Sequence, residues 1–305
     1  MTNQGLMAAR AAKKDEFYTR REDIEAELSY YPDAFRGCIV YCNCDSLDSQ
    51  FAAYFADNFQ RLGLRSLWVS GLCPDRVCWF YEMQVPGIWN RRAVASDGDF
   101  RSNACICLLQ QADVVVTNPP FSLFRPYVAL LMQYQKQFLI LGNINAVTFR
   151  EIIPHIRDGR IWLGGSIHSG DRMFYVPDDY DLYAAGCGID AGGRKYIRVK
   201  GVRWFTNLDY PERHVPMRLT ALYHGRESQY LKYDNYNAIE VSKTAQIPKD
   251  YSGVMGVPIT FIDRYCPEQF EILGDSRYHD GCETANDINY LNGRLTYRRL
   301  LIKRR

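Results

Sequence analysis

The chain has 305 residues, 47% of them hydrophobic and 24% charged, which is the balance of an ordinary soluble globular protein and excludes a largely disordered chain. With 37 basic and 35 acidic residues the net charge is only +2, so overall charge announces no polyanionic partner. No apolar run approaches the roughly 20 residues needed to cross a bilayer, and the N-terminus has no apolar signal core, so the expectation is a cytoplasmic protein without membrane contact.

The first half alternates apolar runs with amphipathic segments. Residues 38–43 (CIVYCN) read as a strand, followed by a helix over 46–63 with Phe51, Tyr54, Phe55 and Phe59 at helical spacing. Residues 66–71 read as a second short strand and 100–112 as a helix. Residues 112–120 form a β-branched run halted by two prolines, and 122–135 read as a helix with Pro126 in its first turn. Residues 137–145 read as a strand and 146–159 as a helix. This order predicts βα units around a mostly parallel sheet with helices on both faces. In such sheets ligands sit beyond the C-terminal strand ends. These ends are Asn43 to Asp48, Gly71, Asp97 to Phe100, Thr117 to Phe121 and Gly142 to Asn145. The second half is β-rich and rich in tyrosine, and Asn292-Gly293 between apolar runs predicts a hairpin.

Ten cysteines fit a reducing compartment, and no Cys-x-x-Cys pair or histidine spacing points to a metal. Cys38, Cys42 and Cys44 read as small buried side chains. The five histidines are scattered and none is assigned to catalysis.

The segment that carries chemistry is Asp113-Val-Val-Val-Thr-Asn118-Pro119-Pro120-Phe121. Two prolines stiffen the loop and remove two N–H donors, so it offers oxygens rather than amides. That suits a substrate that is itself a donor, such as the exocyclic amine of adenine. The Asn118 side-chain oxygen and the Pro119 carbonyl can accept its two hydrogens and localise its lone pair, while Phe121 stacks on the base. A structural turn closing a core strand is the competing reading.

These residues resemble the EcoRI-type adenine-specific (N6-adenine) DNA methyltransferase family. The likeness rests on Lys14-Asp-Glu-Phe-Tyr-Thr19, Val40-Tyr-Cys-Asn-Cys-Asp45, Gly98-Asp-Phe-Arg101, Val114 to Ser122, Val202 to Asn207 and Gly256 to Phe261. It implies a class I, Rossmann-like S-adenosylmethionine-dependent methyltransferase that acts on N6 of an adenine flipped out of a specific duplex DNA sequence. Restriction-modification and orphan or phage modification are both settings for it. It further implies a cofactor and catalytic domain at 1–190 and a β-rich target-recognition region at 191–305. Catalysis would fall to Asn118, Pro119, Pro120 and Phe121. The cofactor would meet Phe17, Tyr18, Thr19, Asn43, Cys44, Asp45, Asp99, Phe100 and Asn118. The resemblance also suggests a monomer, with any cognate endonuclease sharing the system without direct binding.

The first loop lacks the glycines of the common Asp-Pro-x-x-Gly-x-Gly pattern, which weakens Asp45 as a ligand, and Asp48 could cap the next helix. Asp99 reads either as the acceptor for the cofactor's adenine amine or as a helix N-terminal acid. Local charge is uneven. Residues 191–226 carry eight Lys or Arg against Asp209 and Glu212, and the last twelve residues carry six and no acid. Lys195, Arg198, Lys200, Arg203, Trp204, Arg298 and Arg299 are therefore candidate DNA contacts, with strand-pair packing or a solubilising tail as the alternative. Methylation of RNA adenine or of a protein glutamine amide is a rival activity, and a catalytically inactive DNA-binding module is a second.

Overall fold

The computed structural model describes residues 17–73, 77–182, 186–279 and 287–305. Lys14, Asp15 and Glu16 of the N-terminal segment lie outside the described residues. The chain forms two compact units. One holds the residues up to Asn143 together with Gly164–Leu208, and the other holds Ile144–Leu163 with Asp209–Arg305.

The first unit is built on β1 (Ile39–Cys42), β2 (Ser66–Val69), β3 (Cys78–Val85), β4 (Ile88–Val94), β5 (Val114–Thr117) and β6 (Gln137–Asn143). β7 (Trp162–Leu163) belongs to the second unit. The chain then returns to the first with β8 (Asp171–Tyr175), β9 (Gly188–Ile189), β10 (Lys195–Lys200) and β11 (Val202–Thr206). Its large sheet runs β4-β3-β2-β1-β5-β6-β11. The β1–β2, β1–β5 and β5–β6 pairs are parallel. The β3–β4 hairpin at one edge and β11 beside β6 are antiparallel. The result is an α/β protein with a mixed sheet around a parallel centre.

β2 and β5 are buried at every position, as expected of central strands in a covered sheet. Tyr41, Trp68 and Phe80 on neighbouring strands pack with Leu108 and Ala112 into one cluster. Their rings meet edge to face, with centroids 5.3–6.5 Å apart.

The helices of this unit are α1 (Arg21–Leu28), α2 (Gln50–Asp57), α3 (Phe59–Leu62), α4 (Asn103–Gln111) and α5 (Phe124–Gln133). The helix expected over 46–63 breaks at Asn58, and Ser49 rather than Asp48 caps α2 by accepting from Ala52 N at 3.1 Å. α4 starts at Asn103 with Ser102 as its cap. In the second unit, the helix expected over 146–159 is two pieces, a 3₁₀ segment at Ile144–Thr148 and α6 (Ile153–Arg157), which carries Pro154 in its first turn.

The compact units part near Leu208 rather than at 190. β11 completes the large sheet, running from Val202 opposite Asn143 to Thr206 opposite Leu139. Asn207 then fastens the start of β6, accepting from Phe138 N at 2.9 Å and donating to Lys136 O at 2.9 Å.

The second unit contains β12 (Ala238–Glu240), β13 (Val254–Pro258), β14 (Phe270–Asp275) and β17 (Arg299–Arg304) in the order β12-β13-β17-β14. A small hairpin pairs β15 (Tyr290–Leu291) with β16 (Arg294–Leu295). Its turn is the expected Asn292-Gly293, with φ of 51° and 74°, the positive values that a tight hairpin turn needs. Among the described residues no helix is long and apolar enough to cross a membrane.

Candidate active site

The Asn118-Pro119-Pro120-Phe121 loop leaves the C-terminal end of β5, in the middle of the sheet. Pro120 is extended, with φ −54° and ψ 125°, and its carbonyl accepts from Leu123 N, starting the turn that leads into α5. The Asn118 amide nitrogen donates to Phe17 O at 2.6 Å, so the carboxamide has one orientation. Its Oδ1 is buried and has no hydrogen-bond partner among the described residues. A buried acceptor left unsatisfied costs free energy on the order of 1–3 kcal/mol, and such an atom in a folded protein calls for a ligand donor.

Three segments distant in sequence meet here. The Phe121 ring stands edge-on to Phe17, with centroids 5.8 Å apart, and to Phe174 at 6.5 Å. Phe17 also meets Phe174 at 5.8 Å. Tyr18 and Tyr175 exchange backbone hydrogen bonds of 2.9 and 3.1 Å, which ties the N-terminal segment to β8. Thr19 is buried and its hydroxyl has no partner among the described residues. Sequence reasoning misses Phe174, because residues 172–177 show only a generic strand.

Beside this cluster, the segments after β1, β2 and β4 pack backbone against backbone. Asp45 N donates to Ser70 O, and a Cβ at Gly71 would lie 2.8 Å from Asp45 O. Gly98 has φ +82°, and a Cβ there would fall 2.1 Å from Gly71 O. The glycines that allow close approach thus follow β2 and β4 instead of β1.

Asn43 accepts from the Tyr127 hydroxyl, and Asp45 from that of Thr117. Cys44 lies between them, partly buried. Phe100 is buried edge-on to Tyr127 at 4.9 Å. Asp99 accepts from Arg101 N at 2.8 Å and holds the Arg101 guanidinium at 2.5 and 2.9 Å. That pairing holds the Asp99 carboxyl below its usual range.

Burial pushes the Asp45 carboxyl up to about 7, against the opposing hydrogen bonds of Thr117 and Ser49. The folded value lies above the unfolded one of 3.8, so ionisation opposes folding. The associated stability is complete below the unfolded value and is lost as pH rises through about 7. Asp45→Asn is expected to remove this dependence. Between about pH 5.5 and 8.5 the native chain should lose roughly 3–6 °C more in Tm than the variant, read by thermal melts at both pH values. Parallel melting curves for the two proteins would contradict the assignment.

The candidate DNA contacts separate by burial. Arg198 and Lys200 on β10 are exposed, Arg198 lying 3.3 Å from Asp171. Lys195 is part-buried, and its ammonium donates to the carbonyls of Asp178 and Tyr180. Trp204 is a core residue, 1% exposed and edge-on to Phe51 at 6.0 Å, so it cannot fill a vacated base stack in this fold. Arg203 is likewise buried, donating to Val202 O and His168 O at 2.8 Å each.

In the second unit Arg299 makes a buried ion pair with Glu240 at 2.6 Å, and Arg298 is held by Asp275 at 2.9 Å. The Arg299 guanidinium is thereby covered, whereas the Arg298 side chain stays a third exposed. Nearby basic residues on a strand look alike in sequence whether they face solvent or a carboxylate far along the chain.

The described part of the chain is an α/β protein with an Asn-Pro-Pro-aromatic loop at the end of a central parallel strand, its asparagine oxygen buried and unclaimed. That is the arrangement expected of an enzyme acting on an amino group. The adenine-specific methyltransferase EcoRI family model matches residues 5–83 and 80–305, and the chain belongs to this family. It is 44% identical to the type II methyltransferase M.EcoRI of Escherichia coli, covering 99% of this chain and 97% of that one. It is 37% identical to M.MpnI of Mycoplasma pneumoniae and 34% to M.MgeORF184P of Mycoplasma genitalium, both type II methyltransferases, each with 97% of both chains covered. No solved structure is significantly similar to the chain.

Proposed function

We propose that this chain transfers a methyl group from S-adenosylmethionine to N6 of an adenine rotated out of a specific duplex DNA word. Family membership supports the activity class. The observation that carries the chemistry is the buried, partnerless Oδ1 of Asn118 beside the Phe17, Phe121 and Phe174 rings.

The residues present fit the cofactor. Thr19 offers a buried hydroxyl with no partner among the described residues, and Gly71 and Gly98 let the loops after β1, β2 and β4 pack closely together. Phe17, Tyr18, Thr19, Asn43, Cys44, Asp45, Asp99 and Phe100 would hold it, with Phe100 as an apolar wall and Asp99 kept ionised by Arg101. When bound, S-adenosylmethionine supplies an electrophilic methyl group.

Asn118 Oδ1 and the Pro119 carbonyl accept the two N6 hydrogens. Their dipoles concentrate the lone pair on nitrogen and stabilise the positive charge that gathers there during transfer. Phe121 stacks on the base and Pro120 keeps the loop stiff. No general base is required, because the alkylated amine is acidic enough to give its proton to water.

Target recognition is assigned to the C-terminal region from about 191 onward, with Arg198 and Lys200 as phosphate contacts. The protein acts as a monomer in the cytoplasm, and an endonuclease partner would meet it only through the shared DNA word.

Expression in a methylation-free host, followed by modification-sensitive sequencing, tests the proposal. N6-methyladenine at one short word is the expected result. Unmodified DNA from cells that contain folded protein would overturn it.

A further inference from the structure

The β3–β4 hairpin forms one edge of the large sheet, and nothing in the proposed chemistry uses it. Its outer strand carries Arg91 and Arg92, both exposed. Arg91 lies over the Trp79 ring, its guanidinium carbon 4.6 Å from the centroid, and Arg92 lies at the same distance over Phe80. Neither has a carboxylate partner among the described residues. Glu82, the acid nearest in the hairpin register, is taken by Trp68 Nε1 at 2.9 Å, Ser66 Oγ at 3.2 Å and Gln84 Nε2 at 3.0 Å. Asp97 accepts from Asp99 N, and Asp99 is held by Arg101.

The register places these cations relative to the active loop. Arg91 lies opposite Tyr81, Tyr81 opposite Val69, and Val69 opposite Cys42. Tyr41 pairs with Val115, so continuing this parallel register by one residue sets Cys42 level with Val116, two residues before Asn118. Arg91 and Arg92 therefore stand in the last rows of the sheet, at the same end as the Asn-Pro-Pro-Phe loop. They are four strands away from it, or roughly 19 Å at about 4.8 Å per strand. That is about the width of a DNA duplex. Adjacent residues on a strand point to opposite sheet faces, so the two guanidiniums can meet different phosphates. Stacking on an aromatic ring fixes each guanidinium plane and leaves its N–H edge outward, a form suited to phosphate oxygens.

We propose that Arg91 and Arg92 are a DNA-backbone clamp, gripping phosphates of the duplex whose target base is held at Asn118. The inference rests on the DNA-methylation reading above. A phosphate clamp adds affinity that is blind to sequence and that weakens with salt, because each neutralised phosphate releases counterions.

The test uses the full chain and a duplex carrying the word found by sequencing. Binding is measured between about 50 and 200 mM KCl, where log K falls with a slope of about −0.9 per phosphate contacted. Replacing both arginines (Arg91→Gln with Arg92→Gln) should flatten the slope by about 2 and weaken binding to matched and unrelated duplexes alike. kcat at saturating DNA and the affinity for S-adenosylmethionine should stay unchanged. The double lysine variant keeps the charge and should keep the slope.

An unchanged slope in a glutamine variant with native circular dichroism would overturn the clamp and leave the arginines as guards against strand addition at the edge. A loss confined to the target word would overturn it as well. If the native chain modifies no DNA, the fault lies with the methylation reading rather than with the clamp.

Discussion

Asn118→Ala is expected to lower kcat by at least about a hundredfold while leaving S-adenosylmethionine affinity within a few-fold of the native value. Its Oδ1 is a buried side-chain acceptor with no partner among the described residues. The same carboxamide is fixed by donating to Phe17 O, so its orientation needs no adjustment when substrate arrives. Preorganised dipoles of this kind are worth about 2.7–4 kcal/mol in the transition state. The cofactor test separates chemistry from architecture, because the variant also frees Phe17 O and could let the 17–19 segment shift. Single-turnover methylation beside calorimetric titration reads both quantities. Near-normal turnover in the variant would remove the mechanism. Equal loss of turnover and cofactor binding would make Asn118 a brace for the N-terminal segment instead.

The largest stability effect is expected at Glu27. This fully buried carboxylate on α1 accepts from the Tyr31 hydroxyl at 2.9 Å, Gly165 N at 3.0 Å, Ser166 N at 2.8 Å and Ser166 Oγ at 2.5 Å. Burial still pushes its pKa above the usual glutamate range. Glu27→Ala leaves four donors facing a cavity, and a loss of about 3–5 kcal/mol is expected. Glu27→Gln should fall between the two. In either amide orientation its NH₂ meets one backbone N–H, while the hydroxyls can turn and accept. Denaturant unfolding of the three proteins should rank them native, Gln, Ala. A glutamine variant as stable as the native chain would show that the site already holds a neutral acid.

Several parts of this molecule are legible in the amino-acid sequence alone. β1, β2, β5 and β6 are short apolar runs with clear ends, and the Asn-Pro-Pro-Phe loop is marked as a strand end by its own prolines. Asn292-Gly293 specifies its turn through the positive φ it tolerates. What is not legible depends on distant partners. The β3–β4 hairpin lacks polar–apolar alternation because most of β4 is exposed on both faces at a sheet edge. Trp204 and Arg203 sit in a block where aromatic and basic residues follow one another, and only tertiary packing decides which are covered. Arg299 reads as part of a cationic tail, yet Glu240, far upstream, stands against it. Phe174 joins the Phe17 and Phe121 rings through a strand that pairs with the N-terminal segment, a contact with no local trace in sequence.

The chain path has one more consequence. The first unit is interrupted by Ile144–Leu163, which folds with the second, before Gly164–Leu208 rejoins it. No single cut separates the two bodies. A gene truncated after Asn143 lacks β11, the strand that covers the open side of β6. Exchanging either body between relatives would therefore require two stretches of the gene to move together.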